Sequence, residues 1–245
     1  MSADLITNRD GHVVTLTMNR PDKRNALSAD LIESLLVAIQ TATRDGTRLV
    51  ILKGEGKAFS AGFDFSGIER QTDGDLVLRF IRLEILLQAI YHAPFATMAL
   101  AHGACFGAAA DIVCCCSRRI ATPGTKFRMP GLRFGIALGT RRLAEVISAD
   151  YARRILQTST TFDADLALAC GFLSEIVIAE EWPKHIADAR VESLELPDAG
   201  SALLHRLTRA DHCDADLADL VASASVPGLK SRIEAFIAAT RKDKT

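Results

Sequence analysis

Two short apolar segments that end in glycine constrain the fold of this chain most strongly. They cover residues 47–54 (TRLVILKG) and 95–103 (FATMALAHG). Short apolar runs bounded by turn residues are typical of buried β-strands. Residues 75–92 (DLVLRFIRLEILLQAIYH), which lie between them, have the composition and length of a long helix. Strands that alternate with helices favour an α/β fold whose sheet is at least partly parallel.

The same alternation continues on both sides of this unit. Residues 12–19 (HVVTLTMN) alternate and are rich in Val and Thr, which predicts a further strand. Ser28 is the predicted N-cap of an amphipathic helix. From residue 182 onward the patterns are helical throughout. We therefore predict an α/β core over residues 1–181 and a helical C-terminal region over residues 182–245.

The overall charge and the N-terminal sequence argue against several classes of function. The 245 residues carry a formal net charge of −1, so there is no basic field for nucleic acid. The first residues lack the basic and apolar regions of a signal peptide, and no apolar run is long enough for a membrane span. We expect a cytoplasmic protein that binds neither nucleic acid nor membranes.

The cysteines raise the question of a metal site or of disulfides. Cys114, Cys115 and Cys116 are adjacent, so on a helix they point about 100° apart, and none of them has C-x-x-C spacing. Metal ligands must converge on one point, and disulfides are rare in reducing compartments. We expect no metal, and thiols that pack as small apolar groups.

Two glycine-rich junctions follow the apolar segments. Residues 53–65 (KGEGKAFSAGFDF) match neither the phosphate-loop pattern nor the dinucleotide-binding G-x-G-x-x-G pattern, which argues against nucleotide hydrolysis. In residues 101–111 (AHGACFGAAAD) a helix is predicted to begin near Gly107. Free N–H groups at a helix N-terminus, bared by small side chains, can stabilise negative charge that develops on an oxygen.

Five segments in order resemble the enoyl-CoA hydratase/isomerase (crotonase) superfamily. They are TMNRPDKRNALS (17–28), GEGKAFSAGFDFSGI (54–68), HGACFGAAADIVCCCSRRIAT (102–122), KFRMPGLRFGIALGTRRL (126–143) and VPGLKSRIEAFIAATRK (226–242). The resemblance implies a crotonase-like (ClpP/crotonase) spiral core of ββα repeats. It also implies a helical C-terminal region that forms a trimer or a dimer of trimers, and a substrate that is an acyl-CoA thioester.

The resemblance also assigns roles to individual residues. The backbone N–H groups of Phe63 and Ala108 would hold the thioester oxygen. Coenzyme A, which belongs to the substrate and is not a tightly bound cofactor, would lie along Lys23, Arg24, Asn25, Ala26, Ala61, Asp64, Phe65 and Ile68.

Asp111 is the predicted acid/base. The first catalytic glutamate of the family falls on Asp111, whereas the second, which follows Pro130, is Gly131. If the helix begins near Gly107, Ala108 and Asp111 share one face, and the carboxylate leans back toward the Ala108 N–H. Burial among Ala, Val and Cys should raise the Asp111 pKa, which suits a proton shuttle.

A single carboxylate leaves several reactions open. It is compatible with hydration, isomerisation, decarboxylation or hydrolysis, and also with a non-catalytic acyl-CoA binder. Arg82 or Glu84 could replace the missing acid, and His102 is expected to make a structural hydrogen bond. The sequence gives no geometry for the further titratable candidates Arg79, His92, Arg128, Arg133 and Glu145.

Overall fold

A computed structural model describes the backbone of residues 4–242 and the side chains of residues 4–240. The strands are β1 (Leu5–Asp10), β2 (Val13–Met18), β3 (Leu49–Gly54), β4 (Ala96–Ala101), β5 (Ala104–Phe106), β6 (Arg118–Ala121), β7 (Lys126–Arg128), β8 (Phe162–Asp163) and β9 (Glu175–Ile176). The helices are α1 (Ala29–Ala42), α2 (Asp73–Tyr91), α3 (Ala108–Cys115), α4 (Thr140–Ile147), α5 (Ala149–Thr158), α6 (Ala164–Ala169), α7 (Trp182–Glu192), α8 (Asp198–Leu207), α9 (Cys213–Ala224) and α10 (Leu229–Lys242). None of these helices is long and apolar enough to cross a membrane.

The main sheet has six strands in the order β1-β2-β3-β4-β6-β9. Strands β2, β3, β4, β6 and β9 are parallel, and only β1 at the edge pairs antiparallel. The predicted strands and the partly parallel sheet are confirmed. Strand β1 was not predicted, because five of its six side chains are exposed and it lacks the alternation of a half-buried strand.

A second sheet of three short strands, in the order β5-β7-β8, lies beyond the end of β4. Isolated bridges join Leu27 to Phe63 and Ser60 to Cys105, so the loop after β3 is tied to α1's entrance on one side and to β5 on the other. This arrangement of a sheet with a smaller second layer positions the two glycine-rich junctions next to each other.

Both faces of the main sheet are covered, as parallel strands require. In β3, Val50 and Leu52 belong to the large core beneath the helices α1, α2 and α3, whereas Leu49 and Ile51 belong to a smaller core. Trp182, Ile186 and Ala189 of α7 close that smaller core from the other side.

The C-terminal helices contribute to the large core as well. Leu220 and Ala224 of α9 and Leu229 and Ile233 of α10 are buried in it. Apolar contacts therefore cross the predicted boundary at residue 181, which falls immediately before α7. The predicted ranges 1–181 and 182–245 begin and end outside the described residues.

The cysteine triplet lies at the end of α3 and is buried. Cys114, Cys115 and Cys116 are each at most 2% exposed. Burial raises the pKa of the Cys114 thiol to about 12, so it stays protonated and is a poor metal ligand. These thiols pack as apolar groups, as the sequence predicted.

A buried ion pair links α2 to α4. Arg142 donates to both carboxylate oxygens of Glu84, at 2.8 and 2.6 Å, and also to Asp216 of α9 at 3.0 Å. Glu84 is 1% exposed and Arg142 is 4% exposed. Charges this deep are tolerated only because each has hydrogen-bonded partners.

We predict that Arg142→Met destabilises the protein by about 3–5 kcal/mol, because it leaves the Glu84 carboxylate buried without its cation. Urea unfolding followed by circular dichroism measures this loss. The matched control is Arg82→Met. Arg82 pairs with Glu33 on the surface, where both side chains are more than a third exposed, so its loss should cost less than about 1 kcal/mol. Equal losses in the two variants would contradict the prediction.

Candidate active site

The two glycine-rich junctions meet at Gly62. A Cβ on Gly62 would lie 2.1 Å from the Phe106 carbonyl oxygen and 3.4 Å from the Ala108 nitrogen. Gly62 also has a φ of +84°, which other residues rarely adopt. Glycine at this position therefore brings the loop after β3 directly against the start of α3.

Two backbone N–H groups are left free at this contact. The Leu27 N–H donates to the Gly62 carbonyl at 2.8 Å, and the Asp64 N–H donates to the Leu27 carbonyl at 3.1 Å. In such a parallel bridge the N–H of the middle residue, Phe63, points away from Leu27. Ala108 is the first residue of α3. Among the described residues, neither the Phe63 nor the Ala108 N–H has an acceptor.

Two arginines, Arg79 and Arg20, hold the loop that carries Phe63 in place. The Arg79 guanidinium lies 4.1 Å from the Phe63 ring centroid and donates to the Asp64 carbonyl at 2.7 Å. Arg20 donates to the Asp64 carboxylate at 2.8 Å. Burial would raise the Asp64 pKa, but hydrogen bonds from Ser66 and Arg20 outweigh it and hold the pKa below its ordinary value. The sequence analysis did not assign Arg20 this role. The only sequence signal for it was its place in the segment TMNRPDKRNALS, directly before Pro21.

A cavity of about 160 Å³ lies beside the free N–H groups. Its walls are mostly apolar and aromatic, and five of its six aromatic side chains form a continuous cluster. Phe63 stacks on Phe80 with centroids 4.4 Å apart, and Phe134 contacts Phe236 of α10 at 5.0 Å. The lining residues are Ala61, Phe63, Phe65, Phe80, Leu83, Phe106, Gly107, Ala108, Asp111, Arg128, Met129, Pro130, Gly131, Phe134, Ile136, Leu138, Leu156, Phe236 and Thr240.

Asp111 is the one carboxylate among these lining residues. It lies in the first turn of α3, is 4% exposed, and its Oδ1 atom is buried without a hydrogen-bond partner. Burial raises its pKa to about 8; Arg142 opposes this rise and Glu84 adds to it. The structure thus holds a carboxyl group that is mostly protonated at neutral pH.

Gly139, at the start of α4, packs directly against this carboxyl group. A Cβ on Gly139 would lie 2.0 Å from Asp111 Oδ1, and the residue has a φ of +65°. No side chain fits here without displacing Asp111. Nothing in the sequence around Gly139 indicates this contact, because it depends on how α4 packs against α3.

The second glutamate of the family pattern has no replacement in the cavity. Gly131 lines the cavity where that carboxylate would begin. Glu84 faces Arg142 behind the cavity wall, and Arg82 pairs with Glu33 on the surface. Neither side chain lines the cavity, so neither stands in for the missing acid.

Of the remaining titratable candidates, some line the cavity and others lie outside it. His102 Nε2 makes the expected structural hydrogen bond, with the Gly56 carbonyl at 3.0 Å. Glu145 accepts a hydrogen bond from the Tyr91 hydroxyl at 2.6 Å and lies outside the cavity, as does the exposed Arg133. Arg128 does line the cavity.

The predicted coenzyme A segments lie next to each other, but not all their side chains are available. Lys23 and Arg24 are exposed, on a short 3₁₀ turn and at its end. Asn25 is fully buried and donates to the carbonyls of Glu55 and Ala58, both at 2.8 Å. The Asn25 backbone also has partners, the Arg20 carbonyl for its N–H and the Ser60 hydroxyl for its carbonyl. Asp64 likewise has partners for its N–H, carbonyl and carboxylate. Neither residue therefore has an unused donor for a ligand. Ala26, Ala61, Phe65 and Ile68 are half-buried or buried.

One group of metal-ligand residue types lies away from the cavity. Ligand atoms of His92, Asp211 and Cys213 lie within 4.8 Å of one another. Burial lowers the His92 pKa; Asp211 opposes this, and the cations Arg209 and Arg142 lower it further. Asp211 is exposed, and exposed acidic groups often lie near His and Cys without binding a metal, so we assign this group no metal.

Comparison with known proteins shows the family. Residues 8–223 match the family Enoyl-CoA hydratase/isomerase. A crystal structure of a Bordetella parapertussis protein that is named for the same family superposes with a TM-score of 0.95 at 46% identity, covering 97% of this chain and 99% of that one. The chain therefore belongs to the enoyl-CoA hydratase/isomerase family, and its crotonase-like fold is confirmed.

Curated relatives carry two kinds of names. A Mycobacterium leprae protein named probable enoyl-CoA hydratase is 33% identical over 178 residues, or 70% of each chain. A Streptococcus mutans trans-2-decenoyl-[acyl-carrier-protein] isomerase is 30% identical over 189 residues, or 74% of this chain and 72% of the relative. These names confirm the predicted enzyme class, lyase or isomerase, and leave the reaction open.

We predict that Asp111→Asn stabilises the protein increasingly as the pH rises from about 5 to 8. The folded-state pKa is about 8, well above the unfolded value of roughly 3.9, so the folded protein keeps a proton that the unfolded chain releases. Wild-type stability is therefore lost as the pH rises through this window, and asparagine, which does not titrate, escapes the loss. Melting temperatures of both proteins across the pH range test this.

The matched control is Asp75→Asn. Hydrogen bonds from the Thr72 backbone and hydroxyl lower the pKa of Asp75, so it is ionised throughout the same window. Its melting temperature should differ from wild type by a constant amount between about pH 5 and 8. An Asp111→Asn difference that is equally flat would show that Asp111 titrates as an ordinary carboxyl.

Proposed function

We propose that this protein moves a carbon–carbon double bond within an acyl-CoA thioester, with Asp111 as its acid/base. The observation that carries the proposal is that Asp111 is the one carboxylate lining the cavity, with Gly131 in the place of a second. Bond migration needs one group that takes a proton and returns it, whereas addition of water is best served by two. The isomerase name of the Streptococcus mutans relative supports this choice.

The first step of the proposed reaction is formation of an enolate. The thioester oxygen binds the N–H groups of Phe63 and Ala108. The ionised Asp111 carboxylate takes a proton from the carbon next to the carbonyl, and the electron pair moves onto the thioester oxygen. Two fixed backbone donors in an apolar cavity stabilise that negative charge without reorganisation.

In the second step the proton returns at the far end of the extended enolate. Asp111, now a carboxylic acid, donates the same proton there, and the double bond lies one position along the chain. No atom is gained or lost. A pKa of about 8 suits both steps, because both the acid and the carboxylate forms of Asp111 are present near neutral pH. Phe63, Phe80 and Phe134 give the cavity apolar walls, which disfavour competing water.

We place the coenzyme A portion of the substrate along two neighbouring segments, residues 23–26 and 61–68. Lys23 and Arg24 are free to meet its phosphates, as a point charge and a planar fork respectively. Ala26, Ala61, Phe65 and Ile68 supply apolar contacts and backbone groups. Asn25 and Asp64 shape this loop from inside and do not contact coenzyme A directly, since their side chains and backbone groups already have partners.

Hydration is the second candidate. The hydratase name of the Mycobacterium leprae relative favours it, and a single carboxyl with a raised pKa can activate water and then return the proton. Product identification separates the two reactions, because hydration adds the mass of water and migration leaves the mass unchanged. A protein that binds thioesters and converts none of them would be a non-catalytic binder.

We predict that Asp111→Asn lowers kcat/KM by about 10²–10⁴ while thioester binding is largely kept, because the amide cannot transfer the proton. In the wild type, kcat/KM should rise with pH and level off above about 8, where the free enzyme's Asp111 is ionised. Asp111→Glu, which restores the residue of the family pattern, is the control that keeps a carboxylate. Full turnover by Asp111→Asn would remove Asp111 from the mechanism.

We predict that Ala108→Pro lowers kcat by about 10²–10³, because proline lacks the N–H that holds the thioester oxygen. Proline is well tolerated at the first position of a helix, which Ala108 occupies, so α3 should still form. Circular dichroism checks the fold, and Ala109→Gly is a control that keeps the Ala108 N–H. Unchanged turnover by a folded Ala108→Pro protein would exclude this donor.

A further inference from the structure

Arg128 is the second charged residue among those that line the cavity, and most of its guanidinium group has no partner. Its Nε donates to the Ser159 carbonyl at 3.0 Å. In the described part of the chain, neither of its two Nη atoms has a hydrogen-bond or ion-pair partner. The residue as a whole is half-buried, and its Nη atoms are not among the fully buried atoms without a partner, so a ligand can reach them. A cation placed in this way favours an anionic partner.

The backbone fixes Arg128 close to the reacting end of the cavity. Arg128 pairs with Phe106 across strands β7 and β5. Its carbonyl accepts the Gly107 N–H at 2.6 Å, one residue before Ala108. The backbone of Arg128 therefore lies on the strand next to the proposed oxyanion donors. Its Nε–H bond to the Ser159 carbonyl anchors the guanidinium group.

Arg128 is not the counter-ion of Asp111. The charges that act on the Asp111 pKa are those of Arg142 and Glu84, behind the cavity wall. Arg128 is also separate from Lys23 and Arg24, which lie on the loop proposed for the coenzyme A phosphates. Neither the proton transfer nor the phosphates account for this cation.

We infer that Arg128 binds a carboxylate on the acyl group, so that the preferred substrates are mono-CoA thioesters of unsaturated dicarboxylic acids. This inference rests on the proposed function. The two Nη atoms can donate in parallel to both oxygens of a carboxylate, which is the strongest arrangement available to arginine. The apolar phenylalanine walls accommodate the carbon chain between the thioester and the carboxylate. A terminal methyl group would leave the cation without a partner.

The substrate pair 3-hexenedioyl-CoA (the mono-thioester) and 3-hexenoyl-CoA tests this directly, since the two differ in their terminal group. We expect the wild type to favour the carboxylate substrate in kcat/KM by about tenfold or more, as hydrogen bonds between charged groups allow. Arg128→Met should bring that ratio to one or below, and Arg128→Lys should give an intermediate ratio. Arg133→Met removes a neighbouring exposed arginine outside the cavity and should leave the ratio unchanged.

Binding of the saturated pair, adipoyl-CoA and hexanoyl-CoA, measured by calorimetry, decides the question without turnover. If Arg128 only caps the C-terminal end of α5 through Ser159, Arg128→Met lowers the melting temperature and leaves the affinity ratio unchanged, which overturns the inference. If the wild type prefers the methyl-ended thioesters, the inference is also overturned, while turnover lost in Asp111→Asn would still support the proposed function. If nothing is converted, the proposed function fails and the affinity ratio still tests Arg128.

Discussion

The contact on which the candidate site depends is the approach of Gly62 to the carbonyl oxygen of Phe106. No side chain fits between them, since a Cβ on Gly62 would lie 2.1 Å from that oxygen. Because the two backbones touch, the free N–H groups of Phe63 and Ala108 open on the same cavity. Arg79 and Arg20 hold the Phe63 loop in this position through Asp64. These hydrogen bonds offset the free-energy cost of partly burying the two cations.

The distribution of charge around the cavity then sets the pKa of Asp111. Arg142 could have neutralised Asp111, but Glu84 and Asp216 already satisfy it. Asp111 is therefore buried against Gly139 without an ion-pair partner, and its pKa rises to about 8. A carboxyl group in this state costs stability and gains the ability to accept and donate a proton near neutral pH, which is the exchange expected at a catalytic site.

Much of the fold could be predicted from the sequence, but not all of its strands. Strands β2, β3 and β4 and helix α1 with its Ser28 cap lie where periodicity and capping placed them, because each carries several buried residues in a regular pattern. Strands β5, β7 and β8 have only two or three residues, too few for any alternation to show. They form because neighbouring segments supply their hydrogen bonds, which is information that no local window contains.

The sequence by itself determined which chemical groups this protein has: two glycine-rich junctions, one aspartate on the first turn of a helix, and a glycine where the family pattern has a second glutamate. Only the tertiary structure decided what surrounds those groups. It buried Glu84 with Arg142, brought Gly139 against Asp111, and left the Nη atoms of Arg128 without a partner among the described residues. The physical reason is that burial, pairing and pKa depend on which elements pack together, and residues 84, 111, 128 and 139 lie on different elements whose packing is set by the whole core.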